Sequence, residues 1–149
     1  MSLENPNMQH LEFEYIDGVI PEIEQKMHFG HIEDEKQHGV KFNYKKFSIV
    51  IKDGQKFVGG LIAYTVYKEI YVDDLWVDPL YRRKGLGCGL LKELESRFAG
   101  KGYNNINLVT SAFQAPEFYK KCGFEVEFVR ENKENPEFTK TFFVKYLKS

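Results

Sequence analysis

A mixed α/β sheet in one domain is the fold that this sequence predicts, and three observations carry it. Several short runs alternate apolar and polar residues in the manner of half-buried strands. Tight-turn signals such as Asp53-Gly54 join some of these runs as antiparallel neighbours. Between residues 69 and 110 the order changes to strand, amphipathic helix, strand, which makes one central β-α-β unit in a mostly antiparallel sheet. With 149 residues, 42% of them hydrophobic, the chain is the size of one ordinary domain and can bury a substantial core. The reading is therefore a single domain over residues 1–149. Met1-Ser2-Leu3 reads as an expression remnant, with a native start as late as Met8, and residues 1–10 as tag or flexible N-terminus.

The elements follow in order. Residues 11–16 alternate apolar and acidic side chains and predict a first strand, ended by Asp17-Gly18. Pro21 sits where a first helical turn tolerates proline, and Glu22 and Glu24 suit its positive end. Gly30 is expected to interrupt that helix, leaving residues 31–39 as a short second helix or a loop. Residues 47–51 and 56–66 form a hairpin, with Gly59-Gly60 marking a bulge or a close backbone approach. Residues 69–77 are apolar enough for a central strand. Leu86, Leu90, Leu91, Leu94 and Phe98 recur on one side of a helix that Gly100 and Gly102 stop. Residues 105–110 are the next strand, and Pro116 opens a short helix through Lys121. Residues 124–130 and 141–147 are the last strands, around a charged loop.

Composition excludes several functions. A net charge of −1 provides no global field for nucleic acid. No apolar run is long enough to span a membrane, and no signal-peptide pattern opens the chain, so a cytoplasmic location is expected. Cys88 and Cys122 make no CxxC pair, and reduced thiols are the expectation in that compartment. His28, His31 and His38, among Glu33, Asp34 and Glu35, read as a solvated polar face rather than a metal site. Cys122 has no visible His partner that would make it a nucleophile.

The most informative stretch runs from Leu75 to Gly89. A buried strand ends in Leu75-Trp76-Val77-Asp78-Pro79, a loop carries Arg82, Arg83, Lys84 and Gly85, and a helix begins at Leu86-Gly87-Cys88-Gly89. The first N–H groups of a helix lack internal partners and sit at the positive end of its dipole. Gly85 and Gly87 remove Cβ atoms that would keep a phosphate from the backbone, and three cations stand at the same mouth. A pyrophosphate is the natural ligand. The phosphate loop GxxxxGK[ST] is absent, and GxGxxG fails in both registers, at Leu90 and at Lys92, which disfavours a nucleotide-binding protein.

Arg82-x-x-Gly85-x-Gly87 resembles the acyl-CoA loop of the GNAT family of N-acetyltransferases. Ala115-Pro116-Glu117-Phe118-Tyr119-Lys120-Lys121-Cys122-Gly123-Phe124 is similar to that family's late block, in the right order after the loop. The other elements fit its topology from about Leu11 to Leu147. The resemblance implies acetyl transfer from acetyl-CoA, without a metal, to a primary amine of a small molecule or protein, by direct attack in a ternary complex. It implies that the backbone of Leu75, Trp76 and Val77 holds the pantetheine arm. The N–H groups from Arg83 to Gly89 would hold the pyrophosphate, supported by Arg82, Arg83 and Lys84. Tyr119 matches the family's general acid, and Phe118 reads as core.

Asp73 and Asp74 are the candidate bases, with Glu69 in reserve. Alternation sends the pair to opposite faces, and Asp73 is favoured because relatives often carry a polar group two residues before the Leu75 position. The family's usual Asn falls at Ala112 here, so Ser111 or Gln114 substitutes or the contact is lost. Phe42, Tyr44, Tyr64, Tyr67 and Trp76 line the acceptor pocket or belong to the core. A non-catalytic acyl-CoA-binding or sensor domain is the alternative. Relatives often form homodimers, and the resemblance leaves the acceptor unnamed.

Overall fold

The computed structural model describes residues 5, 6 and 8–148, so Met1-Ser2-Leu3 lies outside the described residues. Its contacts group into two compact units, Met1–Val40 and Lys41–Ser149. The first part holds α1 (Pro21–His38), which starts with proline in its first turn as predicted. Gly30 does not interrupt it. The helix runs on to a left-handed cap at Gly39 (φ +67°), whose N–H bonds to Glu35 O and Lys36 O. A glycine costs about 1 kcal/mol in a helix interior, and the Glu, Gln, Lys and Asp-rich turns around it tolerate that loss. Residues 11–16 form no strand, and among the described residues of this unit no strand is present to supply a ladder.

The second part is a six-stranded sheet. The strands are β1 (Lys45–Asp53), β2 (Lys56–Val66), β3 (Glu69–Val77), β4 (Asn105–Ser111), β5 (Glu125–Arg130) and β6 (Lys140–Tyr146). Their order is β1-β2-β3-β4-β6-β5, and every pairing is antiparallel except β3 with β4. That parallel pair needs a crossover, supplied by α2 (Leu86–Phe98) with the predicted bounds. Leu90, Leu91 and Leu94 of α2 pack on Leu61, Ala63, Ile70 and Ile106 to form the core on one sheet face. Burial at about 25 cal/mol per Å² of apolar surface makes this stripe the main hold between helix and sheet.

Two bulges re-aim the central strands. One leaves Val58 unpaired between Gly59 and Phe57, beside the glycines that predicted it. The other leaves Asp73 unpaired: Ala63 faces Val72, and Ile62 faces Asp74. Val72 and Leu75 both pack against the core, so neither Asp73 nor Asp74 lies on the core face. The sequence expectation that strict alternation separates the two acids is corrected by this extra residue. The structure sends both to the face away from α2, where both are exposed.

Candidate functional site

The parallel pairing of β3 and β4 is short. Only Glu69, Ile70 and Tyr71 face Asn105, Ile106 and Asn107, and beyond them the two strands share no register. The rest of β3 therefore bonds on one side only, to β2. Asp78 N–H donates to Val58 O at 2.8 Å, which fixes which residues point which way. Hydrogen-bonded pairs alternate in an antiparallel ladder, so Trp76 and Asp74 exchange bonds with Gly60 and Ile62. Leu75 and Val77 then direct their backbone groups into the opening. Of the three strand residues expected to offer backbone groups, Leu75 and Val77 turn theirs away from β2, and Trp76 pairs with Gly60. Trp76 contributes its ring, 43% exposed and stacked 6.1 Å from Phe57.

The opening continues to the N-terminus of α2. Gly85 is its N-cap, in the left-handed region at φ +78°, and has no side chain that could cap the helix. Gly89 N–H is bonded to Gly85 O at 2.9 Å, the first bond of the helix's own ladder. The N–H groups of Leu86, Gly87 and Cys88 precede that first helical bond, and all three residues line the cavity. Arg82 has a structural duty as well. Its Nε donates to Val77 O at 2.7 Å, tying the loop to the end of β3. Arg82→Ala is expected to lower stability by about 1 kcal/mol in denaturant unfolding, since a charged donor is lost at a partly exposed site.

The two loop glycines differ in what a side chain there would meet. A Cβ on Gly85 would meet nothing within 4 Å, so its requirement is the left-handed backbone. A Cβ on Gly87 would lie 2.7 Å from Cζ of Phe118, so this glycine makes room for a ring. Phe118 belongs to α3 (Glu117–Lys121), which forms the facing wall. Phe118 thus packs partly against the core, as predicted, and also lines the cavity.

The cavity measures about 560 Å³. Besides the expected residues, Gln114 among them, it takes in Tyr81, Ala115 and Lys121, while Lys84, Gly89, Asp73 and Asp74 are not among its lining. Tyr81 is anchored by its hydroxyl, which donates to Asp53 Oδ2 at 2.5 Å. Lys121 was not singled out from sequence; its only signal is its place two residues after Tyr119. Gln114 is engaged by Ser111, whose N–H donates to Gln114 Oε1 at 2.9 Å in a reciprocal cap.

Tyr119 lines the same cavity. Its ring meets Phe118, Phe124 and Phe143 at centroid distances of 5.0, 6.2 and 5.6 Å. Burial, and then the charge of Asp74, push its phenol above the ordinary tyrosine value. Asp74 therefore acts on Tyr119 electrostatically, although it lies off the core face. Asp73 instead approaches Lys46, with Oδ2 3.7 Å from Nζ and both side chains about half exposed. Glu69 is held at both oxygens. Asn105 Nδ2 donates to Oε1 at 3.0 Å and the Tyr71 hydroxyl to Oε2 at 2.6 Å. The Asn105 bond first, then Tyr71, lowers its pKa and makes it a poor base, while Tyr71 is pushed up to about 12 because its hydroxyl donates a hydrogen bond to Glu69.

Cys88 and Cys122 are bonded to each other as a disulfide, with Cα atoms 5.4 Å apart. The expectation of two reduced thiols is corrected here: the α2 N-terminus and the end of α3 bring residues 34 apart in sequence together. Of the predicted aromatic set, Phe42, Tyr44 and Tyr64 form a ladder that continues to Tyr71, at 5.2–5.8 Å between successive rings. Tyr67 meets Phe42 edge-on. Among the described residues no three His, Cys, Asp or Glu side chains stand together as a metal site. None of their helices is long and apolar enough to cross a membrane.

An uncapped helix N-terminus, a cation-bearing loop and a strand edge that β4 leaves unpaired suit a ligand with a pyrophosphate and an extended amide-bearing arm. A family model described as the acetyltransferase (GNAT) family matches residues 10–124. The crystal structure of an acetyltransferase from Bacillus cereus ATCC 14579 superposes with a TM-score of 0.74 and 30% identity, over 90% of this chain and 98% of that one. The ribosomal-protein-S18-alanine N-acetyltransferase of Escherichia coli shares the fold, with a TM-score of 0.60 and 22% identity over 78% and 77% of the two chains. A blasticidin-S acetyltransferase from Streptomyces morookaense is 35% identical over 72 residues, 48% of this chain and 53% of the relative. The match thus spans about half the length of that curated relative.

Proposed function

This chain belongs to the GNAT family of acetyltransferases, and from that premise we propose that it transfers the acetyl group of acetyl-CoA to a primary amine by direct attack in a ternary complex. The observation that carries the proposal is the cavity itself. It joins the β3–β4 opening, the uncapped α2 N-terminus and the Tyr119 wall in one continuous space. When bound, acetyl-CoA supplies an activated acetyl thioester with a thiol leaving group.

The protein's own groups have four tasks. Leu75 and Val77 offer backbone groups to the pantetheine arm, at the level where β4 has diverged. Leu86, Gly87 and Cys88 offer N–H groups to the pyrophosphate, with Arg83 on the cavity wall and Lys84 next to it in the loop adding charge. Tyr119 keeps a proton on its hydroxyl oxygen for the departing sulfur. Asp74 takes the proton of the incoming ammonium through water, because an alkyl amine of pKa about 10.4 has no lone pair at neutral pH. Asp74 is chosen over Asp73 because its charge reaches Tyr119, while Asp73 is engaged with Lys46. Acidic side chains on the acceptor side suit a cationic amine. The Streptomyces relative's name points to an antibiotic amine as the first acceptor to try. We place the reaction in the cytoplasm.

The test is thiol release from acetyl-CoA with a panel of amines, followed by mass spectrometry of the product. Amine-dependent release with an acetylated acceptor supports the transferase. Tight acetyl-CoA binding with no turnover on any amine supports the non-catalytic sensor instead. The Asp74–Tyr119 coupling has its own readout. Negative charge opposes phenol ionisation, so Asp74→Asn is expected to move the Tyr119 phenolate absorbance to lower pH, still above the ordinary value because burial remains. An unmoved titration would remove Asp74 from the pair.

A further inference from the structure

The chemistry above leaves one bond in the cavity wall without a role. Cys88 stands in the first turn of α2 and lines the cavity, while Cys122 follows α3 and is 7% exposed. We propose that the Cys88–Cys122 disulfide is a thiol–disulfide exchange site that sets the affinity of the cavity. The proposal rests on the reading of that cavity as the acyl-CoA site.

The bond bridges the two elements that face each other across the cavity. One is the anion-binding helix end, and the other is the five-residue helix α3. A single turn of that length has little stability of its own. Yet Phe118, Tyr119 and Lys121 all line the cavity from it. With the disulfide closed, α3 is tied covalently to the first turn of α2. With it open, the short helix is held by non-covalent contacts, among them the Phe118 edge beside Gly87, Tyr119 on Phe124 and Phe143, and the bond from Lys145 Nζ to Cys122 O. Opening therefore loosens one wall and leaves the sheet intact.

Access decides which sulfur reacts. Cys88 is partly exposed and Cys122 is buried, so an incoming thiolate reaches Sγ of Cys88. A low-molecular-weight thiolate attacks that sulfur, and the S–S electron pair leaves on Sγ of Cys122, which takes a proton. A second thiol attacks the outer sulfur of the mixed disulfide. It releases the low-molecular-weight disulfide and leaves Cys88 as a thiol. Two small thiols are thus oxidised and one protein disulfide reduced, and a small disulfide drives the reverse. The helix dipole and Arg83 favour the Cys88 thiolate as a leaving group. Cytosolic disulfides are characteristically transient, which suits exchange rather than permanent cross-linking.

A ligand in the cavity and the bond that shapes it are linked. If the disulfide strengthens acetyl-CoA binding, acetyl-CoA must stabilise the disulfide by the same factor. The experiment is calorimetric titration of acetyl-CoA into the full chain, oxidised with glutathione disulfide and again after dithiothreitol, with thiols counted by mass spectrometry. The expected result is a Kd about 5-fold or more weaker in the reduced form. Acetyl-CoA should shift the dithiothreitol equilibrium toward the disulfide by that same factor. The Cys88→Ala/Cys122→Ala variant should bind like the reduced form and ignore dithiothreitol. If that variant fails to fold, the two forms of the wild type still decide. Equal affinity in both forms, or no disulfide after glutathione disulfide, overturns the exchange site alone. Failure of the oxidised protein to bind acetyl-CoA overturns the cavity assignment.

Discussion

Tyr119→Phe is expected to lower kcat by about 10²-fold or more while the KM for acetyl-CoA stays near its wild-type value. The substitution removes one oxygen and keeps the ring. Contacts with Phe118, Phe124 and Phe143 survive, so α3 remains seated and the cavity wall keeps its shape. What disappears is a proton that the site holds firmly. Burial and the Asp74 charge both disfavour the phenolate, so the hydroxyl stays protonated beyond the pH at which an ordinary tyrosine ionises. A thiolate leaving group needs such a donor in the transition state, not in the ground state. The loss therefore falls on kcat rather than on binding. Thiol release at saturating acetyl-CoA, across pH 6 to 9, measures it. An unchanged kcat would leave Tyr119 as a packing residue and assign the proton to water.

The residues that made this site legible in sequence are those whose requirements are local. Leu86, Leu90, Leu91, Leu94 and Phe98 set α2 because helical period needs no partner strand, and Gly100 and Gly102, both at positive φ, end it. Asp53-Gly54 set the β1–β2 hairpin in the same way, with Gly54 at φ +61°. Arg82, Gly85 and Tyr119 stood out through a family pattern, and the structure brings them to one cavity. The features that were missed depend on pairing. The Asp73 bulge is a property of the β2–β3 register, so the strand alone gives no sign that both acids share a face. The Cys88–Cys122 bond depends on how two helices meet across the cavity. Residues 11–16 carry a strand pattern, yet a pattern without a ladder partner makes no strand. Gly30 was weighed by its own propensity, and the seventeen other positions of α1 outweigh it.

Gly87→Val is expected to raise the KM for acetyl-CoA by about 10-fold or more and to lower stability by about 1–3 kcal/mol. The added Cβ lies 2.7 Å from Cζ of Phe118, closer than side-chain carbons sustain, and 3.1 Å from its Cε2, a tight contact. One partner must retreat. If the first turn of α2 moves, the N–H groups of Leu86, Gly87 and Cys88 leave the positions that face the cavity. If the ring moves, it carries against Tyr119, whose ring lies 5.0 Å away at 73°. Either movement damages the same site. The collision also names its own repair. Gly87→Ala combined with Phe118→Leu should recover most of the lost stability, with a coupling of about 0.5–3 kcal/mol in a double-mutant cycle. Gly85 separates this from a general intolerance of the loop. Asparagine visits the left-handed region that φ +78° requires, and no atom lies within 4 Å of a Cβ there, so Gly85→Asn should retain binding. The same substitution at Gly87 should fail. Equal tolerance at both positions would mean that the Phe118 ring yields freely, and that the α2–α3 contact does not shape the cavity.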